Sequence, residues 1–139
     1  MRVGSPAFTA ALFDMDGLLL DSERPTRDAW LHAAAGLGVP LSEADYLSVV
    51  GLNHRDSHRR LLNLFGDDLA LLDAVRARAD AALAAGSPFE AKPGAHRLLQ
   101  TLRAAGIACA VASSTHHAEV RRRLQHAGLL DHFGAYLII

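Results

Sequence analysis

The stretch Phe13–Glu23 reads FDMDGLLLDSE, follows an apolar run and places two carboxylates two residues apart. Asp14 and Asp16 lie where a predicted buried strand, about residues 8–13, gives way to a glycine turn at Gly17. Side chains two apart on an extended chain point to the same side. Neighbouring carboxylates repel each other and are costly to bury unless a cation or a reaction needs them. The pattern therefore indicates a phosphoryl-transfer site.

Two plainer interpretations of this acidic turn are disfavoured. An EF-hand calcium loop counted from Asp14 needs an oxygen ligand at its fifth position, glycine at its sixth and glutamate at its twelfth. Leu18, Leu19 and Pro25 occupy those positions. A simple surface turn fits poorly because apolar residues flank the motif on both sides.

The composition of the 139-residue chain, half of it apolar, is sufficient for a hydrophobic core. The net charge of -1 shows no basic excess, so neither nucleic acid nor an anionic membrane surface is implied as a partner. The single cysteine, Cys109, excludes an internal disulfide and fits a reducing cytoplasm. No apolar stretch has the length of a membrane span. We therefore expect a soluble cytoplasmic protein.

Helical patterns follow the acidic turn in an unbroken series, with apolar residues at spacings of three and four. They cover about residues 22–36, 42–51, 55–65 and 68–85. A further helix at 95–105, an apolar strand at 107–112, a helix ending at Gly128 and a strand at 136–139 complete the chain. We expect the strand at 107–112 to be buried on both faces. This order predicts an α/β fold with a parallel sheet and a helical insertion.

The residues Asp14, Met15, Asp16 and Gly17, followed by Asp21–Glu23, resemble the first signature motif of the haloacid dehalogenase-like hydrolases. The residues of this motif are most similar to those of the phosphatase and beta-phosphoglucomutase branch of the family. The resemblance implies that Asp14 attacks phosphorus and becomes an aspartyl phosphate, while Asp16 protonates the leaving group and later activates water. It also implies a magnesium ion, Mg2+, held by the Asp14 side chain and the Asp16 backbone carbonyl.

The resemblance further implies a Rossmann-like core formed by residues 1–18 and 88–139 and a helical cap formed by residues 19–87. A cap controls water and decides which leaving group enters. The segment that begins at Gly51 resembles the cap loop that reaches over the active site. His54 and Arg55 are therefore candidate contacts to the substrate, although both residues would equally serve as the solvated start of the third helix.

The second motif of the family, an apolar strand that ends in serine or threonine, fits Ser113. In an open parallel sheet, ligands gather at the carboxyl ends of strands, and the helix that follows points backbone N–H groups at an anion. We expect Ser113 to bind a phosphoryl oxygen, together with the backbone of Ser114 and Thr115. Alone this signal is weak, because serine is an ordinary N-cap residue.

The family's third motif, a lysine or arginine, and its fourth, a pair of acids, both lie downstream of the strand that follows Ser113. The sequence stops at Ile139, before either motif. We therefore expect a C-terminally incomplete fold, uncompensated repulsion between the acids and a bare edge on the first strand, through which the chain self-associates. Lys92 precedes Ser113 and is misplaced for the third motif, and at least two of the arginines at 121–123 must face solvent.

The resemblance narrows the reaction. Dehalogenases of this family lack the second aspartate of the motif, which is present here as Asp16. Phosphonate hydrolases of the family use a lysine of the cap, and this chain has no lysine between residues 17 and 91. We predict a magnesium-dependent phosphate-ester hydrolase that acts on a small phosphorylated metabolite. A phosphosugar mutase of the beta-phosphoglucomutase type is one alternative, and a catalytically inactive fragment or binding module is the other.

Overall fold

The computed structural model describes residues 7–133 and 137–138. Within those residues the strands are β1 (Ala10–Asp14), β2 (Ala108–Ala112) and β3 (Leu137–Ile138). The helices in the same part of the chain are α1 (Glu23–Gly36), α2 (Glu43–Leu47), α3 (His54–Leu64), α4 (Leu69–Ala85), α5 (Ala95–Ala104) and α6 (His117–His126). A 3-10 turn at Leu130–His132 follows α6. The predicted α/β architecture is confirmed.

The described strands form a parallel sheet in the order β1-β2-β3. The register pairs Ala10 with Ala108 at one end of β1 and Asp14 with Ala112 at the other. β1 and β2 therefore end side by side, at the same edge of the sheet. In the region that the structure describes, β1 has β2 as its sole neighbour.

One face of the sheet packs against a hydrophobic core. Cys109 and Val111 of β2 are buried there, with Leu99 from α5 and with Val120 and Leu124 from α6. Because side chains alternate along a strand, the residues between them point to the opposite face. On that face Leu12 is 63% exposed, Ala108 is exposed and Ala110 is half-buried. The expectation that residues 107–112 are buried on both faces is therefore wrong, since α5 and α6 contribute to the core on one side.

The chain divides into two compact units. One contains the residues up to Glu23 and from Pro88 onward, and the other is Arg24–Ser87. The expected boundary at residue 19 lies a few residues too early. Leu19 and Leu20 belong to the core beneath the sheet, and the Leu19 carbonyl accepts a hydrogen bond from the Lys92 backbone at 2.8 Å.

The second unit is entirely helical in its regular structure and has its own core. Trp30, Leu61, Phe65, Leu72 and Val75 are among its buried residues. Its helices begin at local signals, since Ser42, Asn53 and Asp68 each accept a hydrogen bond from a backbone N–H three residues later. The second helix ends at Leu47 and not near Gly51 as predicted; the chain continues in turns through Val49 and Val50, β-branched residues that favour a helix little.

None of the helices within the described ranges, 7–133 and 137–138, is long and apolar enough to span a membrane. Cys109 is a buried free thiol, as expected of a small core residue. Burial raises the pKa of this thiol.

Candidate active site

The two predicted motifs meet at the carboxyl edge of the sheet. Asp14 is the last residue of β1 and pairs in register with Ala112, the last residue of β2. Ser113 follows Ala112 directly, so the register places the second motif beside the first. This is where ligands of open α/β sheets bind.

The turn after β1 is held by several backbone hydrogen bonds. The Met15 carbonyl accepts the N–H groups of Leu19 and Leu20 at 3.0 and 3.1 Å. The Gly17 N–H donates to the Leu20 carbonyl and to the buried Ser22 hydroxyl, each at 3.0 Å. Met15 is fully buried, so it anchors the turn in the core while Asp14 and Asp16 flank it at the surface of the site.

Asp14 has an open carboxylate. Its Oδ1 accepts the Met15 N–H at 2.9 Å, and no second hydrogen bond reaches this carboxylate from any other described residue. The remaining oxygen is available to attack an electrophile or to bind a cation. The family resemblance of the first motif implies that this residue is the nucleophile.

Asp16 has a different environment, because both of its carboxylate oxygens are engaged. The Thr115 hydroxyl donates to Oδ2 at 3.3 Å across 99 residues of sequence. The Arg123 guanidinium donates to Oδ1 at 3.2 Å across 107 residues. The side chain remains 38% exposed, so a reacting group can still approach it.

The loop at residues 113–116 differs in detail from the prediction. The Thr115 N–H, which we expected to contact a phosphoryl oxygen, donates to the Ser113 hydroxyl oxygen at 3.1 Å. The Ser113 hydroxyl hydrogen stays available as a donor. Thr115 acts through its hydroxyl on Asp16, a contact that the sequence did not reveal. Ser114 is exposed in the same loop, and His116 caps α6 by position, without a side-chain hydrogen bond.

A cluster of charged side chains on α6 lies next to Asp16. Glu119 accepts hydrogen bonds from Arg122 at 2.6 and 2.8 Å and from the Arg123 Nε at 2.8 Å. Hydrogen bonds from Arg122 and then Arg123 lower the pKa of Glu119 to about 2, although partial burial acts in the opposite direction. The expected lack of any cation beside the acid pair is therefore wrong, because Arg123 compensates Asp16. Arg121 and Arg122 are exposed, as expected.

The predicted cap contacts lie in the helical unit. His54 and Arg55 form the first turn of α3, and both are exposed. Their exposure is what is expected of polar residues at the start of a solvated helix. A contact between these residues and a substrate stays a prediction.

Metal binding has a partial set of ligands here. In residues 7–133 and 137–138, no group of three or more histidine, cysteine, aspartate or glutamate side chains is placed to hold a metal ion. Magnesium, however, is often held by one or two carboxylates together with water and substrate phosphates. The open carboxylate of Asp14 fits this requirement, whereas Thr115 and Arg123 occupy that of Asp16.

Comparison with protein families agrees with the first motif. The model of a family described as haloacid dehalogenase-like hydrolase matches residues 8–139. A solved structure of a HAD family hydrolase from Deinococcus radiodurans R1, with bound phosphate and sodium, superimposes with a TM-score of 0.69 at 29% identity. That superposition covers 94% of this chain and 57% of the other.

Two curated relatives are similar in sequence. The tyrosine-protein kinase PtkA of Mycobacterium tuberculosis (strain ATCC 25618 / H37Rv) is 33% identical over 135 residues, which are 95% of this chain and 45% of that protein. The phosphorylated carbohydrates phosphatase of Thermotoga maritima is 26% identical over 129 residues, 89% of this chain and 58% of that protein. The chain thus spans about half the length of the curated relatives that it matches.

Proposed function

This chain belongs to the haloacid dehalogenase-like hydrolases, and we propose that it carries the nucleophile and the acid–base residue of a phosphatase that acts on a small phosphorylated metabolite. The observation that carries the proposal is the hydrogen bond between Thr115 and Asp16, 99 residues apart. It brings the two motifs together while the neighbouring Asp14 carboxylate keeps an open oxygen.

The proposed reaction has two steps. In the first, the open oxygen of Asp14 forms a bond to phosphorus while the bond to the ester oxygen breaks, and Asp16 gives its proton to the departing alcohol. In the second, Asp16 takes a proton from water as the water attacks phosphorus, and inorganic phosphate leaves Asp14 free again. In this proposal the Ser113 hydroxyl, which follows β2 at the same sheet edge, donates to a phosphoryl oxygen.

The family implies magnesium as the cofactor. When bound, this ion would neutralise charge on the phosphoryl oxygens. The residues that would hold it are Asp14, through its open carboxylate, and Asp16, through its backbone carbonyl, as the first motif assigns them. The protein's own contribution is to hold Asp14 on a fixed turn and to keep Asp16 oriented beside it.

The test is the variant Asp14→Asn in the protein as its gene encodes it. An amide has nearly the shape of a carboxylate but is a poor nucleophile, so we expect turnover of p-nitrophenyl phosphate with magnesium to fall below detection. Unfolding by urea should be unchanged. The matched control is Asp80→Asn, because Asp80 is exposed on α4 and lacks any ion pair to a described residue. Substantial activity in Asp14→Asn would refute the mechanism.

Release of inorganic phosphate distinguishes hydrolysis from the phosphosugar mutase alternative, in which phosphate stays on the sugar. The 33% identity to PtkA favours a second candidate, transfer of a phosphoryl group to tyrosine. The two functions differ in the bond that they form. After incubation with labelled phosphate donor, an aspartyl phosphate is cleaved by hydroxylamine and phosphotyrosine is not, so the stability of the label decides between them.

A further inference from the structure

Three groups hold the Arg123 side chain in place. Its Nη1 donates to Asp16 at 3.2 Å, its Nε donates to Glu119 at 2.8 Å, and its guanidinium lies over the Phe89 ring, 5.1 Å from the centroid. A cation over an aromatic face is attracted by the ring. Arg123 is accordingly only 25% exposed, whereas Arg122 on the same helix is 57% exposed.

The hold on Asp16 comes from two sides. Thr115 contacts one carboxylate oxygen and Arg123 contacts the other. Rotation of the carboxylate about its terminal bond would break at least one of these contacts. The guanidinium also reduces the electrostatic cost of two carboxylates on one turn.

We propose that Arg123 is a positioning residue that fixes the Asp16 carboxylate for proton transfer to the leaving group. This proposal rests on the phosphatase function proposed above. Arg123 acts through Asp16, and Glu119 in turn orients Arg123 from one helical turn away, a spacing at which side chains on a helix face each other. Phe89 restricts the remaining freedom of the guanidinium.

The decisive comparison is between two neighbouring arginines. Arg122 and Arg123 both bind Glu119, but among the described residues Arg123 is the one that also reaches Asp16. Arg122→Gln therefore removes a similar ion pair without touching the acid. Arg123→Gln removes the contact to Asp16, and Arg123→Lys retains the charge.

The kinetic experiment uses two phosphate esters and the protein as its gene encodes it. The alcohol of propyl phosphate is a poor leaving group and needs a proton, whereas nitrophenolate needs little protonation. Misplacing a catalytic group by about 1 Å costs on the order of 10²-fold. We therefore expect Arg123→Gln to lower kcat/KM for propyl phosphate by about 10²-fold and for p-nitrophenyl phosphate only slightly. Arg123→Lys should recover part of the loss, and Arg122→Gln should behave like the wild type with both esters.

A second measurement does not depend on activity. Urea unfolding of Asp16→Asn, Arg123→Gln and the double variant forms a thermodynamic cycle. If the pair forms in solution, the changes in the free energy of unfolding of the two single variants do not add up to that of the double variant. The reason is that Arg123→Gln removes a smaller stabilising interaction once the Asp16 charge is absent.

Several outcomes would overturn the proposal. Additive unfolding data would show that the pair is absent in solution. An equal loss of activity on both esters, or the same loss in Arg122→Gln as in Arg123→Gln, would show that Arg123 has no specific effect on proton transfer. If the wild type turns over neither ester, the proposed phosphatase function fails. If the cycle is non-additive in that case, the contact between Asp16 and Arg123 has only a structural role.

Discussion

At the scale of single residues, Asp14 and Asp16 are identical side chains whose positions give them different environments. Asp14 keeps one oxygen open and accepts a single backbone N–H. Asp16 is tied to a hydroxyl and a guanidinium on opposite oxygens. An open oxygen suits a nucleophile, and a fixed carboxylate suits a group that must meet a proton acceptor at a defined point.

This difference predicts how Asp16→Asn behaves. A proton-transfer group contributes about 10² to 10⁴-fold in rate, so we expect a loss of that size for propyl phosphate and a much smaller loss for p-nitrophenyl phosphate. The loss for propyl phosphate should exceed that of Arg123→Gln, since the acid itself is gone. Steady-state kcat/KM on the two esters measures the effect. Equal losses would mean that Asp16 is a ligand or a structural residue.

Glu119 gives a prediction about pH. Its pKa falls to about 2 in the folded protein, from an ordinary value of 4.5, chiefly through hydrogen bonds from Arg122 and Arg123. Because the folded pKa is the lower one, the stabilisation is fully present above about pH 4.5 and is lost as the pH falls toward 2. Glu119→Gln should therefore cost about 1 kcal/mol at pH 7, in the range of partly exposed ion pairs.

The measurement is urea unfolding of the wild type and of Glu119→Gln at pH values between 7 and 3. The difference between them should shrink as the solution becomes more acidic. Glu90→Gln is the matched control, because Glu90 is exposed and has no ion pair within the described residues. A difference that stays constant with pH would show that the Glu119 charge contributes nothing.

At the scale of elements, the turn between β1 and Ser22 sets the geometry of the site. Gly17 has a φ of +75°, a backbone conformation that other residues adopt with strain. A Cβ at this position would lie 2.6 Å from the Glu23 carboxyl group. The turn therefore needs glycine for its backbone angle, and a Cβ there would also displace the end of the Glu23 side chain.

We predict that Gly17→Ala destabilises the protein more than Gly106→Ala does. Gly106 has a similar φ of +73°, but a Cβ there would meet nothing within 4 Å. The control should therefore lose about 1–2 kcal/mol through backbone strain alone. Gly17→Ala should lose more, since the Glu23 side chain must also move. Urea unfolding measures the stability of both variants. Equal losses in the free energy of unfolding would show that the Glu23 side chain moves away at no cost.

At the scale of the whole molecule, the sheet exposes apolar surface along β1. Leu12 is 63% exposed and the nearby Phe8 is 52% exposed. Strands with an unpaired edge and apolar side chains recruit other chains unless charge or proline blocks them. The expected bare edge of β1 is thus present within the part of the chain that the structure describes.

We predict that residues 1–139, expressed alone, self-associate. The reason is the unpaired edge of β1 within the described residues, next to exposed apolar side chains. Size-exclusion chromatography with light scattering measures the mass of the species in solution. Leu12→Lys should shift the species toward monomer. Leu98→Lys, on an exposed position of α5, should not. A wild-type species that runs as a monomer would contradict the expectation.

Much of this protein follows from local sequence alone. The Asp14–Gly17 turn, the apolar strand before Ser113 and the helix start at Asp68 are short-range signals, because turn residues and caps act over a few residues. They were sufficient for the order of strands and helices. The exact end of α2 was missed, since a weak helix end depends on its packing.

The contacts around Asp16 were decided only by the tertiary structure. The sequence led us to expect no cation beside the acid pair, but Arg123 reaches Asp16 across 107 residues and Thr115 does so across 99. Residues so far apart in the sequence come into contact only when β1 and β2 pair in one register and α6 packs with Val120 and Leu124 inward. Local sequence carries the preference of each segment, whereas the meeting of two segments depends on the core that packs them together.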